Sequence, residues 1–206
     1  MSLPRWALGP EIGEPTNPAL GLRGVRLGLA QPRLLETQIA AILRAAMHGP
    51  VRILLPMVAT VSEVRRVRAM AEQVAKRLKR RGLAIGDTLP PIGVMIEVPA
   101  AALTVATLAR GLDFVSIGTN DLTQYAMAAD RVNSALAPLQ DATAPGVVAL
   151  IAAIVAGAAE AGVEVGVCGE LAGSAAGATL LTDLGIRELS MDPAVIDEVR
   201  EALIGA

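Results

Sequence analysis

Apolar and polar positions follow two spacings along the chain, one typical of short buried strands and the other of amphipathic helices. Short apolar runs predict five strands, at residues 51–58, 92–97, 114–119, 163–167 and 188–191. Apolar residues at helical spacing predict the helices between them, at residues 32–47, 61–81, 99–110, 145–161, 175–184 and 193–203. Because strand and helix alternate without a break, the pattern predicts an α/β fold with a parallel sheet, either a barrel or an open sheet.

The elements and their boundaries carry further signals. Thr60 and Glu63 have the spacing of a capping box and predict the start of the helix at 61–81. The strands are apolar along their whole length, which predicts a sheet covered on both faces. Residues 1–16 are rich in proline and are expected to be irregular. No linker or repeat divides residues 1–206, so we predict a single domain.

Composition excludes several classes of protein. Hydrophobic residues make up 53% of the chain, which excludes disorder, and aromatic residues only 1%, which disfavours base stacking and hence nucleic-acid binding. The net charge is −2, and the basic residues of helix 61–81 are expected to form a solvated outer face. One cysteine and one histidine exclude disulfide frameworks and multi-Cys or paired-His metal sites. The longest uncharged run, 146–159, is too short to span a membrane, so we predict a cytoplasmic protein.

Polar residues recur at the same end of successive predicted strands. Glu97 ends the second strand, Asn120 and Asp121 follow the third, Cys168 follows the fourth and Asp192 the fifth. In parallel α/β folds the carboxyl ends of the strands form the ligand-binding edge. We therefore expect a functional site at this edge of the sheet.

The residue types near this edge indicate their chemistry. Two carboxylates on neighbouring strands, Glu97 and Asp121, suit Mg²⁺ or Mn²⁺, the alternative being that they cap or begin helices. Arg23, Arg26 and Arg131 are candidates for binding an anionic substrate, the alternative being ordinary surface arginines.

Cys168 and His48 are the remaining candidates for chemistry. The position of Cys168 at a strand end suits proton transfer or nucleophilic attack, the alternative being an inert buried thiol. His48 lies between a helix end and a strand, and we expect it to cap that helix.

Four blocks of the sequence resemble motifs of the phosphoenolpyruvate (PEP)-utilising enzymes. In chain order they are NPALGLRG at 17–24, GVMIEVPA at 93–100, SIGTNDLTQY at 116–125 and CGELAG at 168–173. The TQY after Asp121 and the later DRVN resemble the PEP–protein phosphotransferases of the bacterial phosphotransferase system. Pyruvate phosphate dikinase and PEP synthase are the alternatives within the family.

The resemblance implies roles for the residues that would bind substrate and metal. Arg23 and Arg131 would hold the phosphate of PEP, and Asn120 with the backbone of Asp121 would also contact the ligand. Glu97 and Asp121 would hold Mg²⁺, which bridges phosphate and enolate oxygens.

The resemblance also implies a reaction and its partners. Cys168 would donate a proton to the enolate carbon, so that phosphoryl transfer from PEP yields pyruvate. The acceptor would be a histidine on a separate N-terminal domain, which serves a histidine-containing phosphocarrier protein in sugar transport. We expect a homodimer, and we expect this chain, which lacks a matching histidine motif, to be inactive alone in the family's phosphoryl transfer.

The fold implied by the resemblance is an eight-stranded parallel β/α barrel of the TIM type. The five predicted strands would form an incomplete barrel, with roughly the first three strands absent. Such a barrel would expose strand edges and a Val- and Ile-rich interior, which favours self-association. Two other hypotheses stay open: a metal-dependent pyruvate or oxaloacetate lyase, and a non-catalytic module that binds a small anion or a partner protein.

Overall fold

Five parallel strands form one sheet in the computed structural model, which describes residues 17–205. The strands pair in chain order, and every pairing is parallel. They span Ile53–Leu55 (β1), Ile92–Ile96 (β2), Phe114–Gly118 (β3), Glu164–Cys168 (β4) and Glu188–Ser190 (β5). The structure confirms the predicted α/β fold with a parallel sheet. The irregular segment predicted at 1–16 lies outside the described residues.

Helices alternate with the strands, as the hydrophobic pattern predicts. Within residues 17–205 the α-helices span Gly24–Ala30 (α1), Pro32–Ala45 (α2), Val61–Arg80 (α3), Pro99–Ala102 (α4), Val105–Leu108 (α5), Thr119–Ala126 (α6), Pro145–Ala161 (α7), Ala175–Asp183 (α8) and Ile196–Ile204 (α9). Short 3₁₀ turns cover Pro18–Leu20, Ser134–Leu139, Glu170–Gly173 and Pro193–Val195. In this part of the chain, no helix has both the length and the apolar character needed to cross a membrane.

Local sequence signals account for the ends of α3 and α7. A complete capping box precedes α3: the Thr60 hydroxyl accepts from the Glu63 amide, and the Glu63 carboxylate accepts from the Thr60 amide at 2.8 Å. Pro145 begins α7, and Gly162 follows its end with a φ of 71°, a left-handed conformation that suits glycine. Both helices therefore keep close to their predicted bounds.

Three helical segments differ from the prediction. The helix expected at 99–110 is interrupted between α4 and α5, where the Thr104 hydroxyl donates to the Ala100 carbonyl at 2.8 Å and competes with the helical hydrogen bonds. The unpredicted α1 begins at Gly24, where a Cβ atom would lie only 2.7 Å from the Cβ of Met57. Helix α6 is not among the predicted helices; it begins at Thr119, directly after β3, and Asp121 stands in its first turn, in agreement with the alternative given for this residue.

The two faces of the sheet differ in composition. One face packs under the helices through large side chains that are almost fully buried: Ile92, Val94, Ile96, Val115, Ile117 and Val167. The alternate positions of the same strands lie on the opposite face, and many are small or polar: Gly93, Met95, Ser116, Glu164, Gly166 and Glu188. The expectation of strands apolar on both faces, with a Val- and Ile-rich interior, is therefore wrong. Large buried residues alternate with small or polar residues along these strands. Because Gly, Met and Cys do not interrupt an apolar run, this alternation was not recognised from the sequence.

A cluster of charged residues shows that the sheet curves toward this second face. Arg52, just before β1, lies 3.6 Å from the carboxylate of Glu164 on β4 and 3.6 Å from that of Glu188 on β5. Its guanidinium group also lies 5.0 Å from the ring centroid of Phe114. In a flat sheet β1 and β5 would be about 19 Å apart, too far for these contacts. The second face is therefore concave and is called the concave face below; curvature and sequential strand order are features of β/α barrels.

Candidate active site

Helix α6 sets the geometry of the candidate site, because it begins directly after β3 at the carboxyl edge of the sheet. Its first two turns carry Asn120, Asp121, Gln124 and Tyr125, and the side chains of Asp121 and Gln124 are buried. Strands β2 and β4 flank β3 in the same direction, so the residues at their ends lie at this edge too.

Two of the predicted anion-binding arginines converge on Asp121. Arg23 places Nη1 and Nη2 each 3.3 Å from one of the two carboxylate oxygens of Asp121, in a fork-like pair. Arg131 places Nη1 4.0 Å from Asp121 Oδ2. The side chains of Arg23 and Arg131 are 33% and 44% exposed, and that of Asp121 only 11%. The accessible guanidinium groups of Arg23 and Arg131 therefore both lie beside the buried carboxylate of Asp121.

Glu97, at the end of β2, is buried beside Asp121, and its Oε1 accepts the Met57 N–H at 2.6 Å. Burial raises the pKa of Glu97 to about 7; the Met57 N–H opposes this shift, and Asp121 adds to it through its charge and a hydrogen bond. A Cβ atom on Gly118 would lie 2.9 Å from Glu97 Oε2, so this glycine leaves room for the carboxylate. Glu97 does not cap a helix, because α4 has no side-chain cap.

The donor set at this position fits a hard divalent cation. Glu97 and Asp121 offer oxygen ligands only, and within residues 17–205 no group of three or more His, Cys, Asp or Glu side chains is arranged to hold a metal. Mg²⁺ is commonly held by one or two carboxylates, with water and substrate phosphate completing its octahedral shell. Two carboxylates beside accessible guanidinium groups therefore fit Mg²⁺ or Mn²⁺ that binds together with an oxyanion.

Cys168, at the end of β4, lies on the concave face, and its register partner on β3 is Gly118. The Ser116 hydroxyl donates to the Cys168 sulfur, with Oγ and Sγ 3.3 Å apart. Burial raises the pKa of the Cys168 thiol, the Ser116 hydrogen bond partly offsets this effect, and the charge of Glu97 adds to it. The thiol is therefore protonated at neutral pH and lies near the carboxylate of Glu97.

Asn120, in the first turn of α6, contacts the turn that follows β4. Its Nδ2 donates to Glu170 Oε1 at 3.2 Å, and the Glu170 amide donates back to Asn120 Oδ1 at 3.1 Å. Gly169, which precedes Glu170, has a φ of 144°, and a Cβ atom there would clash with the Thr119 hydroxyl. The close approach of this turn to the start of α6, which permits the Asn120–Glu170 pair, therefore requires glycine.

Gln124 and Tyr125 belong to the site, although in the sequence they contributed only to the family resemblance and were given no role. Gln124 Nε2 donates to Asp121 Oδ1 at 3.4 Å, and its Oε1 accepts the Arg131 amide at 2.9 Å. The Tyr125 hydroxyl accepts from Arg23 Nη1 at 3.2 Å and donates to the backbone carbonyl of the Pro18–Leu20 turn. Their spacing of three and four residues from Asp121 on one helix is the signal that places all three side chains together.

Two other sequence candidates lie apart from this group. Arg26, one turn further along the chain than Arg23, places Nε 3.4 Å from Glu63 Oε1. His48 is exposed in the turn after α2, before β1, and so lies at the amino edge of the sheet.

The buried Glu97 carboxyl predicts a pH dependence of stability. Its pKa of about 7 in the folded chain lies above the ordinary value of 4.5, so the folded state binds this proton more tightly than the unfolded state. Glu97 is expected to lower the free energy of unfolding as pH rises from about 4.5 to about 7, and to cause no further change above that range. Urea unfolding in EDTA should show this contribution in the wild-type chain and not in Glu97→Gln; identical pH profiles would contradict it.

Two of the solved structures that share this fold come from the same bacterial genus. A citrate lyase from Burkholderia xenovorans LB400 gives a TM-score of 0.59 at 24% identity, covering 81% of this chain and 53% of its own. An aldolase/citrate lyase family protein from Burkholderia cenocepacia J2315 gives a TM-score of 0.53 at 19% identity, covering 81% of this chain and 69% of its own. At these identities the likeness establishes the fold alone.

Curated relatives are more similar in sequence. The phosphoenolpyruvate-protein phosphotransferase of Cupriavidus necator is 44% identical over 203 residues, 98% of this chain and 34% of the relative. The same-named protein of Listeria monocytogenes is 39% identical over 193 residues, 94% of this chain and 34% of the relative. The multiphosphoryl transfer protein of Xanthomonas campestris pv. campestris is 45% identical over 196 residues, 95% of this chain and 23% of the relative. The chain thus spans about a third or less of the length of these relatives.

A family model agrees with the relatives. The model described as the PEP-binding domain of PEP-utilising enzymes matches residues 3–206, nearly the whole chain. The match includes the residues that converge at the carboxyl edge of the sheet, among them Arg23, Glu97, Asp121 and Cys168. The chain therefore belongs to the family of PEP-utilising enzymes, as a PEP-binding domain.

Proposed function

We propose that this chain is the catalytic PEP-binding domain of a PEP–protein phosphotransferase, in which Mg²⁺-assisted phosphoryl transfer from PEP leaves pyruvate. The observation that carries the proposal is the convergence of Arg23, Arg131, Glu97, Asp121 and Cys168 at one edge of the sheet. Guanidinium groups suit a phosphate, paired carboxylates suit a divalent cation, and a thiol suits proton donation to carbon. Relatives named phosphoenolpyruvate-protein phosphotransferase support the same activity.

The phosphate of PEP would take the place of Asp121 as partner of the arginines. Arg23 now pairs with both oxygens of Asp121, and a phosphate presents the same fork with more negative charge. Arg131 places Nη1 4.0 Å from Asp121 Oδ2 and would complete the phosphate clamp. Tyr125 stays bonded to Arg23 through this exchange and keeps the guanidinium group oriented.

Glu97 and Asp121 would hold Mg²⁺, which when bound neutralises charge that develops on the phosphate and enolate oxygens. Both carboxylates must be ionised to act as ligands. The burial that raises the pKa of Glu97 therefore makes protons compete with the cation below about pH 7.

Cys168 would supply the proton that completes pyruvate. Its thiol holds this proton at neutral pH, because burial raises the pKa. In the transfer the S–H bond breaks, and the electron pair of the enolate forms a C–H bond at the carbon that becomes the methyl group. The sulfur keeps the pair of the broken bond as a thiolate, and solvent later restores the proton.

The phosphoryl acceptor would be a histidine of another domain or chain. His48 is the only histidine in the sequence, and it is exposed at the amino edge of the sheet, whereas the candidate site lies at the carboxyl edge. This placement supports a histidine-bearing partner, as the resemblance implies. The homodimer, the role in sugar transport and the inactivity of the chain alone in phosphoryl transfer stay predictions of the resemblance. The cytoplasmic location stays a prediction from the hydrophobic pattern.

The lyase hypothesis has less support from the site. A metal-dependent pyruvate or oxaloacetate lyase would use Glu97 and Asp121, but it would not need Cys168 or Arg131. Both of these residues lie at the site beside the carboxylates. We therefore favour the phosphotransferase.

Cys168→Ala is expected to slow the exchange of pyruvate methyl protons with D₂O about a hundredfold or more, because the substitution removes the proton donor. Proton NMR of pyruvate with the chain and Mg²⁺ measures this exchange. Binding of PEP, followed by calorimetry in the same buffer, should change little because the arginines and carboxylates are intact. Equal exchange rates in the wild-type and Cys168→Ala chains would remove Cys168 from the proposed reaction.

A further inference from the structure

The hydrogen bond between Ser116 and Cys168, on the concave face, is not used in the proposed function. Ser116 stands in the middle of β3, and its hydroxyl donates to the sulfur of Cys168 on β4. The register partner of Ser116 is Gly166, two residues before Cys168. The side chain of Glu188 lies over Gly166, with its Cδ 3.3 Å from the place of a Cβ atom there, and its carboxylate pairs with Arg52.

The contact between Ser116 and Cys168 has a chemical consequence. The Ser116 hydroxyl can donate to the Cys168 sulfur, 3.3 Å from its Oγ, and in that arrangement the thiol proton remains available to a substrate. When the thiol gives up its proton, the sulfur becomes an anion and the same hydrogen bond becomes charge-assisted and stronger. The contact therefore stabilises the thiolate, which forms after proton donation, more than it stabilises the thiol.

The other surroundings of the Cys168 thiol disfavour the thiolate. Burial disfavours a thiolate at Cys168, and Glu97, at the end of β2, adds the repulsion of its negative charge. On the other side, the register partner of Cys168 is Ser190 of β5, which is uncharged. Among the described residues, Ser116 is the hydrogen-bonding group that offsets these effects.

We propose that Ser116 is a positioning residue for Cys168: its hydroxyl orients the thiol and stabilises the thiolate left after proton donation. The inference rests on the proposed function, in which Cys168 protonates the enolate carbon. The proton goes from sulfur to carbon as described above, and Ser116 itself neither gains nor loses one. Its hydroxyl keeps its O–H bond and only strengthens its contact with the sulfur.

The first test measures the thiol directly and needs no catalysis. Cys168 is the only cysteine of the chain, so its rate of alkylation by iodoacetamide reports this thiol alone. Ser116→Val is expected to lower the rate at pH 7 about threefold to tenfold and to move the pH midpoint upward. Ser116→Thr, which has the shape of the Val variant but keeps a hydroxyl, is expected to restore the wild-type profile. Ser116→Ala provides a second hydroxyl-free variant if the Val variant does not fold.

Ser190→Ala is the matched control, because Ser190 flanks Cys168 at the same level of the concave face. Its alkylation profile is expected to equal that of the wild-type chain. The inference is overturned if the Val and Thr variants of Ser116 behave alike. It is also overturned if Ser190→Ala shifts the profile as much as loss of the Ser116 hydroxyl does.

The second test separates this inference from the proposed function. In the pyruvate exchange assay with Mg²⁺, Ser116→Val is expected to slow exchange, and Ser116→Thr is not. If Cys168→Ala abolishes exchange and Ser116→Val leaves it unchanged, the inference fails and the proposed function stands. If Cys168→Ala leaves exchange unchanged, the proposed function fails, and the catalytic part of the inference fails with it, whatever the alkylation profiles show.

Discussion

Glu97→Gln is expected to weaken Mg²⁺-dependent binding of PEP more than about a hundredfold while the fold stays intact. The substitution removes a negative charge from the proposed cation site. The amide oxygen of glutamine can still accept the Met57 N–H, so the local hydrogen bond is kept. Glutamine has nearly the volume of glutamate, which matters because this side chain is buried. Calorimetric titration of PEP with Mg²⁺ present measures the affinity, and circular dichroism checks the fold.

Glu188→Gln is the matched control for this substitution. Glu188 lies on the same concave face, but its carboxylate pairs with Arg52, and its register partner is Gly166 in the middle of β4. Its glutamine variant is expected to bind PEP like the wild-type chain. A Glu97→Gln chain with wild-type affinity in Mg²⁺, or with equal losses in Mg²⁺ and in EDTA, would contradict the assignment of Glu97 as a cation ligand.

Arg23→Ala is expected to weaken PEP binding about a hundredfold, because it removes a charged fork from the phosphate clamp. Arg23→Lys keeps the charge but loses the planar fork, so we expect an intermediate affinity. The same calorimetric titration in Mg²⁺ ranks the three chains.

Arg26→Ala tests whether the effect of Arg23 is specific. Arg26 lies in α1, and Arg23 stands directly before that helix. Arg26 pairs with Glu63 and not with Asp121. The Arg26→Ala chain is expected to bind PEP like the wild-type chain. Equal losses from Arg23→Ala and Arg26→Ala would indicate a general effect of positive charge and would contradict a phosphate clamp at Arg23.

The sequence was sufficient to predict the strands and the long helices, because their apolar spacing and end signals are local. The capping box at Thr60 and the proline and glycine around α7 are examples. α1 and α6 were missed because both are short and are fixed by contacts with distant segments, such as the packing of Gly24 against Met57. The curvature of the sheet depends on contacts across strands, such as that of Arg52 with Glu188, which hydrophobic spacing does not reveal.

The site was partly predictable for a similar reason. Glu97, Asp121 and Cys168 could be selected because each stands at the end of a strand. Arg23 and Arg131 were proposed from residue type and family resemblance, and the structure brings both to Asp121. Residues that contact these site residues could not be selected from the sequence. Ser116, for example, is recognised as the partner of Cys168 only when the pairing of β3 with β4 is known.

The most direct test of the central claim is a crystal structure of the chain with PEP and Mn²⁺, with the ion located by its anomalous scattering. We expect a single strong peak at coordination distance from carboxylate oxygens of both Glu97 and Asp121, and the PEP phosphate against Arg23 and Arg131. A peak away from these two carboxylates, or PEP bound at another place on the molecule, would show that the proposed site is wrong.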